Sequence, residues 1–191
     1  MDNMNRSDLV LNAGRLLDTD GIEVYSLKEL DLKSRLDSII EMMQGYYVVF
    51  DIDGTLCRFK YTSKDSDSLL PCKDKDLNSY LSYDNNMYKY AEPILTMQYV
   101  VSKLDPDMMG TLSTAVPMAV LLKREWLPNY YPNIKKSNYM WSDSDFDKLR
   151  YLQELSKKYK VLFVDDSYKT LLYVEERDKS IKLMHTSEFL L

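Results

Sequence analysis

Residues 46–56, YYVVFDIDGTL, constrain the fold of this chain more than any other segment. A short apolar run ends in two carboxylates one residue apart, Asp51 and Asp53, and Gly54 and Thr55 follow at once. An apolar run of this length is consistent with a buried strand. Two acids at the end of such a strand are unfavourable unless a cation or hydrogen bonds compensate them. The segment therefore predicts a strand that leads into a chemically active site.

Apolar strands alternate with amphipathic helices from Tyr46 onward, which is the pattern of a parallel sheet with helices on both faces. The predicted strands are 46–50, 108–113, 138–142, 160–164 and 181–184. The predicted helices are 91–104, 117–127, 144–158 and 168–177. We therefore expect an α/β fold with a five-stranded, mainly parallel sheet.

Residues 1–45 precede this alternation. Helical patterns at 7–17 and 26–44, the second followed by Gly45, predict a helical extension ahead of a core formed by residues 46–191. The leucines of the extension are most simply packing residues, although they could form an interface between two copies of the chain.

Residues 57–90 interrupt the alternation with a polar, tyrosine-rich stretch that has no clean periodicity. An irregular interval of this length inside a compact domain is usually functional or a small insert. Because it starts directly after Thr55, we expect it to act as a small cap over whatever binds at the first strand.

Composition limits the classes of function. A chain of 191 residues that is 45% hydrophobic suits one compact domain with an appendage, and its net charge of -5 argues against nucleic acid as a general partner. No apolar stretch approaches the roughly 18 residues of a membrane helix, and no signal-peptide pattern opens the sequence, so we expect a cytoplasmic protein. Two cysteines, Cys57 and Cys72, and a single histidine, His185, argue against a disulfide scaffold or a zinc site.

Polar side chains follow three of the predicted strands. They are Asp51 and Asp53, Ser113 and Thr114, and Asp165 and Asp166. Ligands of open α/β sheets bind beyond the carboxyl ends of the strands, where the strand order reverses. Carboxylates that share one crevice raise one another's pKa, and a divalent cation removes that repulsion. Because the candidate ligands are all oxygens, the expected ion is Mg²⁺. Its expected ligands are Asp51, Asp53, Asp165 and Asp166.

The spacing Asp-x-Asp has a direct chemical interpretation, since alternate residues of an extended backbone point to the same side. Asp51 can attack phosphorus and form an aspartyl-phosphate. Asp53 can protonate the leaving oxygen and later deprotonate the attacking water. Gly54 allows a tight turn, and the strand leaves backbone N–H groups aimed at the phosphoryl oxygens. Gly54 and Thr55 are expected to be among the substrate-binding residues.

A transferring phosphoryl group also needs a cation and hydrogen-bond donors. Lys148 is the first candidate for the cation, with Lys123 and Arg124 as alternatives. A strand-end hydroxyl would supply a donor, and the sequence leaves the choice between Ser113 and the adjoining Thr114 open. Thr111 adds to that ambiguity, because it lies on the same alternating face of the strand as Ser113.

These residues resemble the four motifs of the haloacid dehalogenase superfamily of phosphotransferases. DIDGT at 51–55 is similar to its first motif, DxDGT, and Ser113 stands where the second motif has a hydroxyl. Lys148 stands at the position of the third-motif lysine, and the acids at 165–166 resemble the fourth motif in its DD form. The resemblance covers residues 46–191, while the N-terminal residues are additional to it.

The resemblance implies a Rossmann-like core with sheet order 5-4-1-2-3, a Mg²⁺ ion, an aspartyl-phosphate on Asp51 and acid–base catalysis by Asp53. It also implies a substrate-selecting cap after the first motif, which fits residues 57–90. We therefore expect a phosphatase of a small phosphomonoester, with a nucleoside monophosphate as one candidate substrate. The alternatives are a phosphotransferase or phosphomutase on the same site, and a binding or regulatory protein with little turnover.

Overall fold

The structure, a computed structural model, describes residues 10–12, 15–17, 27–59, 87–89 and 91–189. Its strands are β1 (Val10–Asn12), β2 (Arg15–Leu17), β3 (Tyr47–Phe50), β4 (Cys57–Phe59), β5 (Ala91–Pro93), β6 (Met109–Thr114), β7 (Tyr139–Ser142), β8 (Val161–Asp165) and β9 (Lys182–His185). Its α-helices are α1 (Leu27–Met43), α2 (Leu95–Lys103), α3 (Pro117–Tyr130), α4 (Lys148–Ser156) and α5 (Tyr168–Arg177). Short 3₁₀ turns lie at Met87–Lys89, Lys136–Asn138 and Thr186–Phe189.

Five parallel strands form one sheet in the order β7-β6-β3-β8-β9. The predicted α/β class with a five-stranded parallel sheet is confirmed. The strand numbers do not read 5-4-1-2-3 as predicted, because all strands of the chain are numbered together. Four short strands outside this sheet, β1, β2, β4 and β5, are included in that count. Within the sheet, its first strand β3 is central, with the second and third strands on one side and the fourth and fifth on the other.

The sheet is covered on both faces, as its nearly continuous apolar strands require. All residues of β3 and β8 are buried. Because side chains alternate along a strand, Val48 and Phe50 of β3 pack on the face that also holds buried residues of α1, α2 and α3. Val49 packs on the opposite face with buried residues of α4 and α5.

Helix α1 is packed into the first of these faces. Leu36, Ile40 and Met43 recur at helical spacing and are all buried in the core cluster there. The Tyr99 hydroxyl of α2 also donates to Asp37 Oδ1 at 2.6 Å. The helix predicted at 26–44 is thus confirmed, and it ends next to Gly45, whose φ of 81° is the left-handed conformation that often terminates helices.

The helix predicted at 7–17 is wrong. Within the described part of that segment, β1 and β2 pair antiparallel, with Val10 opposite Leu17. Gly14 lies between the two strands in the sequence, and glycine costs about 1 kcal/mol relative to alanine inside a helix. A short apolar pattern interrupted in this way therefore fits an antiparallel pair as well as it fits a helix.

The helix predicted at 91–104 begins later, at Leu95, because Ala91–Pro93 forms β5 and pairs with β4. Pro93 favours extended backbone before it, which suits a strand better than the first turn of a helix. The helix predicted at 144–158 likewise occupies only Lys148–Ser156, while α3 continues past the predicted end to Tyr130. None of the helices in the described ranges is long and apolar enough to cross a bilayer.

The β4–β5 ladder joins the two ends of the predicted insert. Cys57 pairs with Pro93 and Phe59 with Ala91. Trp126 Nε1 of α3 donates to the carbonyl of Ala91 at 3.2 Å, and the Tyr131 hydroxyl donates to the carbonyl of Leu56 at 2.6 Å. The base of the insert is therefore fixed to the core, while residues 60–86 lie outside the described part of the chain.

Replacement of Leu36 by alanine tests whether α1 belongs to the core. Leu36 is 4% exposed, so the change should lower the free energy of unfolding by about 2–5 kcal/mol through lost burial and a cavity. Met42→Ala on the same helix, at a side chain that is 40% exposed, should change it by less than about 0.5 kcal/mol. Urea unfolding followed by circular dichroism measures both. Equal effects of the two changes would mean that α1 does not stabilise the sheet.

Candidate active site

The carboxyl end of the central strand β3 lies between the carboxyl ends of β6 and β8. Phe50 is paired with Thr111 of β6 on one side and with Val164 of β8 on the other. The next residues, Asp51 and Asp165, follow those pairs directly, and the Asp51 N–H donates to the carbonyl of Val164 at 2.9 Å. The strand-end residues that the sequence singles out therefore meet at one edge of the sheet.

Three carboxylates form a compact acidic triad at this edge. One oxygen each from Asp51, Asp165 and Asp166 lies within 4.8 Å of the others. Asp51 is 5% exposed and Asp165 is 1% exposed, whereas Asp166 is open to solvent. Such a triad could hold a metal ion, with access from the side of Asp166. Asp53, which the sequence also predicts as a ligand, is not a member of this triad.

Burial and proximity raise the pKa of two of the three carboxylates. Burial and then the charge of Asp51 raise the pKa of Asp165 to about 7. The same two causes raise the pKa of Asp166 to about 6, because its carboxyl group is partly enclosed although the residue as a whole is exposed. Neighbouring carboxylates with raised pKa values lack sufficient positive charge around them. Because each offers a hard oxygen ligand, the triad suits a hard divalent cation.

Lys148, at the first position of α4, supplies a positive charge to this triad. Its ammonium group lies 2.9 Å from Asp51 Oδ1 and 2.8 Å from Asp165 Oδ2. Burial alone would lower the pKa of Lys148, but the charges of Asp51 and Asp165 outweigh burial and raise that pKa above its usual value. Lys148 is therefore a fixed cation, and it contacts Asp51, the carboxylate that the sequence predicts as a nucleophile.

Lys123, the alternative cation, also points into the site but reaches a different acid. Its Nζ lies 2.7 Å from Asp53 Oδ2 and 2.8 Å from Ser113 Oγ, and it is only 1% exposed. Arg124, the third candidate, is exposed. Each buried lysine therefore binds a different acid of the DIDGT segment. Lys148 binds Asp51, and Lys123 binds Asp53.

The two candidate hydroxyls have different surroundings. Ser113 is buried and accepts a hydrogen bond from Lys123, which leaves its own proton available to a substrate oxygen. Thr114 is half-buried and donates to Asp145 Oδ1 at 2.7 Å, which uses its proton. Of the two, Ser113 is the better-placed donor. The Thr111 hydroxyl is buried without a hydrogen-bond partner among the described residues.

The N–H groups of Gly54 and Thr55 are both bonded inside the turn that these residues form. The Gly54 N–H donates to the carbonyl of Cys57 at 2.9 Å, and the Thr55 N–H donates to the carbonyl of Ile52 at 3.3 Å. Both groups close the turn itself, and substrate binding by Gly54 and Thr55 stays a prediction. The buried Thr55 hydroxyl has no partner among the described residues.

Gly54 has a different role, which concerns the acidic triad. Its φ of 77° is one that side chains disfavour. A Cβ atom at this position would also overlap the carboxylate of Asp166. Gly54 therefore leaves the space in which Asp166 reaches Asp51.

Sequence reasoning missed three contacts of this site. The Tyr88 hydroxyl donates to Asp53 Oδ1 at 2.7 Å, and Asp145 accepts from Thr114. His185 Nε2 lies 2.9 Å from the carbonyl of Asp166, so the single histidine supports the backbone of the triad. Tyr88 lies in the aperiodic insert and Asp145 in a polar loop. The residues around them in the sequence do not indicate which side chain either one contacts.

Alanine at Gly54 should weaken cation binding, and alanine at Gly45 should not. Both glycines have positive φ, which costs a side-chain residue roughly 1–2 kcal/mol, but a Cβ at Gly45 would meet nothing within 4 Å. Only Gly54→Ala displaces Asp166 as well. Thermal unfolding with and without Mg²⁺ or Mn²⁺ should show a cation-dependent rise in Tm for the wild type and Gly45→Ala, and little or none for Gly54→Ala. An unchanged cation effect in Gly54→Ala would exclude Asp166 from the binding site.

Replacement of Lys148 by methionine should lower the free energy of unfolding by about 3–5 kcal/mol, because it leaves two buried carboxylates without their counter-charge. Lys158→Met, at an exposed position, should have an effect below about 0.5 kcal/mol. Asp165 has a raised pKa of about 7, so acid protonates it in the folded protein and relieves the repulsion. The loss should therefore be larger at pH 8 than at pH 5, as measured by urea unfolding. A loss that does not depend on pH would mean that lost packing, and not charge, is the cause.

No protein-family model matches this chain, and no curated protein matches it either. What the chain does must therefore be inferred from its own side chains. These place Lys148 between Asp51 and Asp165, and Lys123 beside Asp53, at one edge of the sheet. The resemblance to the haloacid dehalogenase superfamily stays a prediction from sequence motifs.

Proposed function

We propose that the chain is a Mg²⁺-dependent phosphatase that hydrolyses a small phosphomonoester through an aspartyl-phosphate on Asp51. The observation that carries the proposal is the environment of Asp51, a buried carboxylate within reach of Asp165, Asp166 and the Lys148 ammonium. A second carboxylate with separate partners, Asp53, follows two residues later. A nucleophile beside an acid–base group is the arrangement that covalent hydrolysis needs.

The acidic triad supports a magnesium ion as the cofactor. Asp51, Asp165 and Asp166 offer only oxygen ligands, and Mg²⁺ is usually held by one or two carboxylates together with substrate phosphate and water. Bound there, Mg²⁺ would act as a Lewis acid that withdraws charge from the phosphoryl oxygens.

The first step transfers the phosphoryl group to the protein. Since Lys148 donates to Asp51 Oδ1, Oδ2 is the oxygen that attacks phosphorus. A bond forms between Oδ2 and phosphorus while the bond from phosphorus to the leaving oxygen breaks. Asp53, in its protonated form, gives its proton to that oxygen, so the product leaves as a neutral alcohol. Lys148 and the Ser113 hydroxyl stabilise the charge on the remaining phosphoryl oxygens.

The second step returns the protein to its starting state. A water molecule attacks the phosphorus of the aspartyl-phosphate, and Asp53 takes its proton. The bond between phosphorus and Asp51 Oδ2 breaks, which releases inorganic phosphate and restores the carboxylate. Asp53 is protonated again and ready for the next substrate. Its partial exposure, with 42% of the side chain accessible, suits a group that must meet water and substrate in turn.

Exposed apolar side chains at the same edge support an organic leaving group with apolar surface. Val116 is 51% exposed, Phe146 is 47% exposed and Tyr168 is 66% exposed. Each lies within two residues of a polar residue of the site, namely Thr114, Asp145 or Asp166. A nucleoside monophosphate would meet this requirement, and that choice also draws on the family resemblance.

Transfer of the phosphoryl group to an acceptor other than water is the second candidate function. The same Asp51 intermediate would serve it, with an alcohol in place of water as the attacking group. Transfer to added glycerol in excess of hydrolysis would favour a phosphotransferase. Tight ligand binding without turnover would instead favour a regulatory protein.

Asp51→Asn should abolish hydrolysis of phosphomonoesters, since an amide is neither a nucleophile nor a metal-binding anion. We expect a loss of at least about 10³-fold in kcat, and about 10²-fold or more for Asp53→Asn, which removes acid–base catalysis. Glu175→Gln, at an exposed position of α5, is the matched control and should retain wild-type activity. Release of inorganic phosphate from a panel of phosphomonoesters with Mg²⁺ gives the rates. Equal rates for wild type and Asp51→Asn on every substrate would disprove the proposal.

A further inference from the structure

Tyr88 connects the predicted insert to the acid–base carboxylate. It lies in the 3₁₀ turn Met87–Lys89, near the end of the insert, and its hydroxyl donates to Asp53 Oδ1 at 2.7 Å. The other oxygen of Asp53, Oδ2, is bound by the Lys123 ammonium at 2.7 Å. Each oxygen of this carboxylate thus has its own partner, which fixes both its position and the plane of the carboxyl group.

The side chain of Tyr88 is held firmly enough to orient a second group. It is 4% exposed, and its ring packs edge-on against Phe59 at 5.3 Å and tilted against Trp126 at 6.5 Å between ring centroids. Burial, and after it the charge of Asp53, raises the pKa of Tyr88 well above its usual value. The phenol therefore stays protonated and remains a hydrogen-bond donor.

Cys57 Sγ also donates to Asp53 Oδ1, at 3.6 Å, but the two short contacts are those of Lys123 and Tyr88, and they differ in what they contribute. Lys123 brings a positive charge and also binds Ser113 at 2.8 Å, so it belongs to the phosphate side of the site. Tyr88 brings a neutral donor, which orients the carboxyl group without adding a charge. A proton donor must be aligned with the leaving oxygen to be effective, and a small loss of alignment reduces the rate strongly.

We propose that Tyr88 is a positioning residue for proton transfer to the leaving oxygen, and that it acts through Asp53 without touching the substrate. This inference rests on the proposed function, because it assigns Tyr88 to one step of that reaction. It also gives the insert a part in the chemistry as well as in substrate selection. The carboxyl group of Asp53 gives up its proton as the bond between phosphorus and the leaving oxygen breaks, and Tyr88 keeps that group oriented.

The test compares leaving groups that do and do not need a proton. Tyr88→Phe keeps the ring and removes only the hydroxyl. We expect kcat/KM for 2-phenylethyl phosphate to fall about 10-fold, which is part of the roughly 10²–10⁴-fold that acid–base catalysis supplies. The value for 4-nitrophenyl phosphate should change less than about twofold, because 4-nitrophenolate leaves without protonation. The ratio kcat/KM is the useful quantity, since it covers the steps up to departure of the leaving group.

Tyr131→Phe is the matched control. Tyr131 is also buried, packs against Trp126, and donates its hydroxyl to the carbonyl of Leu56, but no contact with Asp53 is present. Both variants remove a buried, hydrogen-bonded hydroxyl, which for Tyr131 also lies 3.3 Å from the carbonyl of Ile94, so urea unfolding should show losses of stability in both. Only Tyr88→Phe should change the ratio between the two substrates.

Three results would overturn the inference. They are equal losses for both substrates in Tyr88→Phe, no loss for either, and the same change of ratio in Tyr131→Phe. Each of them leaves the proposed phosphatase intact, because the wild type still turns over both substrates. If the wild type with Mg²⁺ hydrolyses neither substrate nor any other phosphomonoester, the proposed function fails, and the role of Tyr88 fails with it.

Discussion

The buried ammonium of Lys148 between Asp51 and Asp165 is the interaction on which the rest of the site depends. Two carboxylates at the ends of adjacent buried strands could not both stay ionised without a counter-charge, since removing a charge from water costs several kcal/mol. Lys148 supplies that charge because α4 begins at this residue and packs against the sheet face below. The parallel pairing of β3 with β8 and the start of α4 at Lys148 thus bring the two carboxylates and their counter-charge together.

The site separates two carboxylates that are only two residues apart in the sequence. Asp51 is buried with Lys148 and two further acids, whereas Asp53 is partly exposed and is held by Lys123 and Tyr88. Different surroundings allow identical side chains to take different roles, as in enzymes that use one carboxylate as nucleophile and another as acid. Gly54, directly after Asp53, leaves room for Asp166 beside Asp51.

The sequence is a reliable guide where local pattern and global packing agree. The predicted strand 46–50 differs from the observed β3 by one residue, and all four residues of β3 are buried. The helix at 168–177 has the predicted bounds. At 7–17 a short apolar pattern fits both a helix and a pair of strands. The antiparallel pairing of β1 with β2 decides for the strands. The Tyr88–Asp53 contact joins residues far apart in the chain, and the internal hydrogen bonds of the turn at Gly54 depend on its three-dimensional path. The local periodicity of the sequence predicts neither this contact nor these hydrogen bonds.

The β4–β5 ladder brings the two ends of the insert side by side on the core. Hydrogen bonds from Trp126 and Tyr131 hold it there. When the ends of a loop are already joined, doubling its length costs only about 0.6 kcal/mol of closure entropy. The chain between these strands can therefore change in length and composition over evolution, or be exchanged by an engineer, while the sheet and the acidic triad stay as they are. If the chain is the phosphatase proposed above, its substrate preference could diversify in this way, provided that an exchanged segment still returns a tyrosine to Asp53.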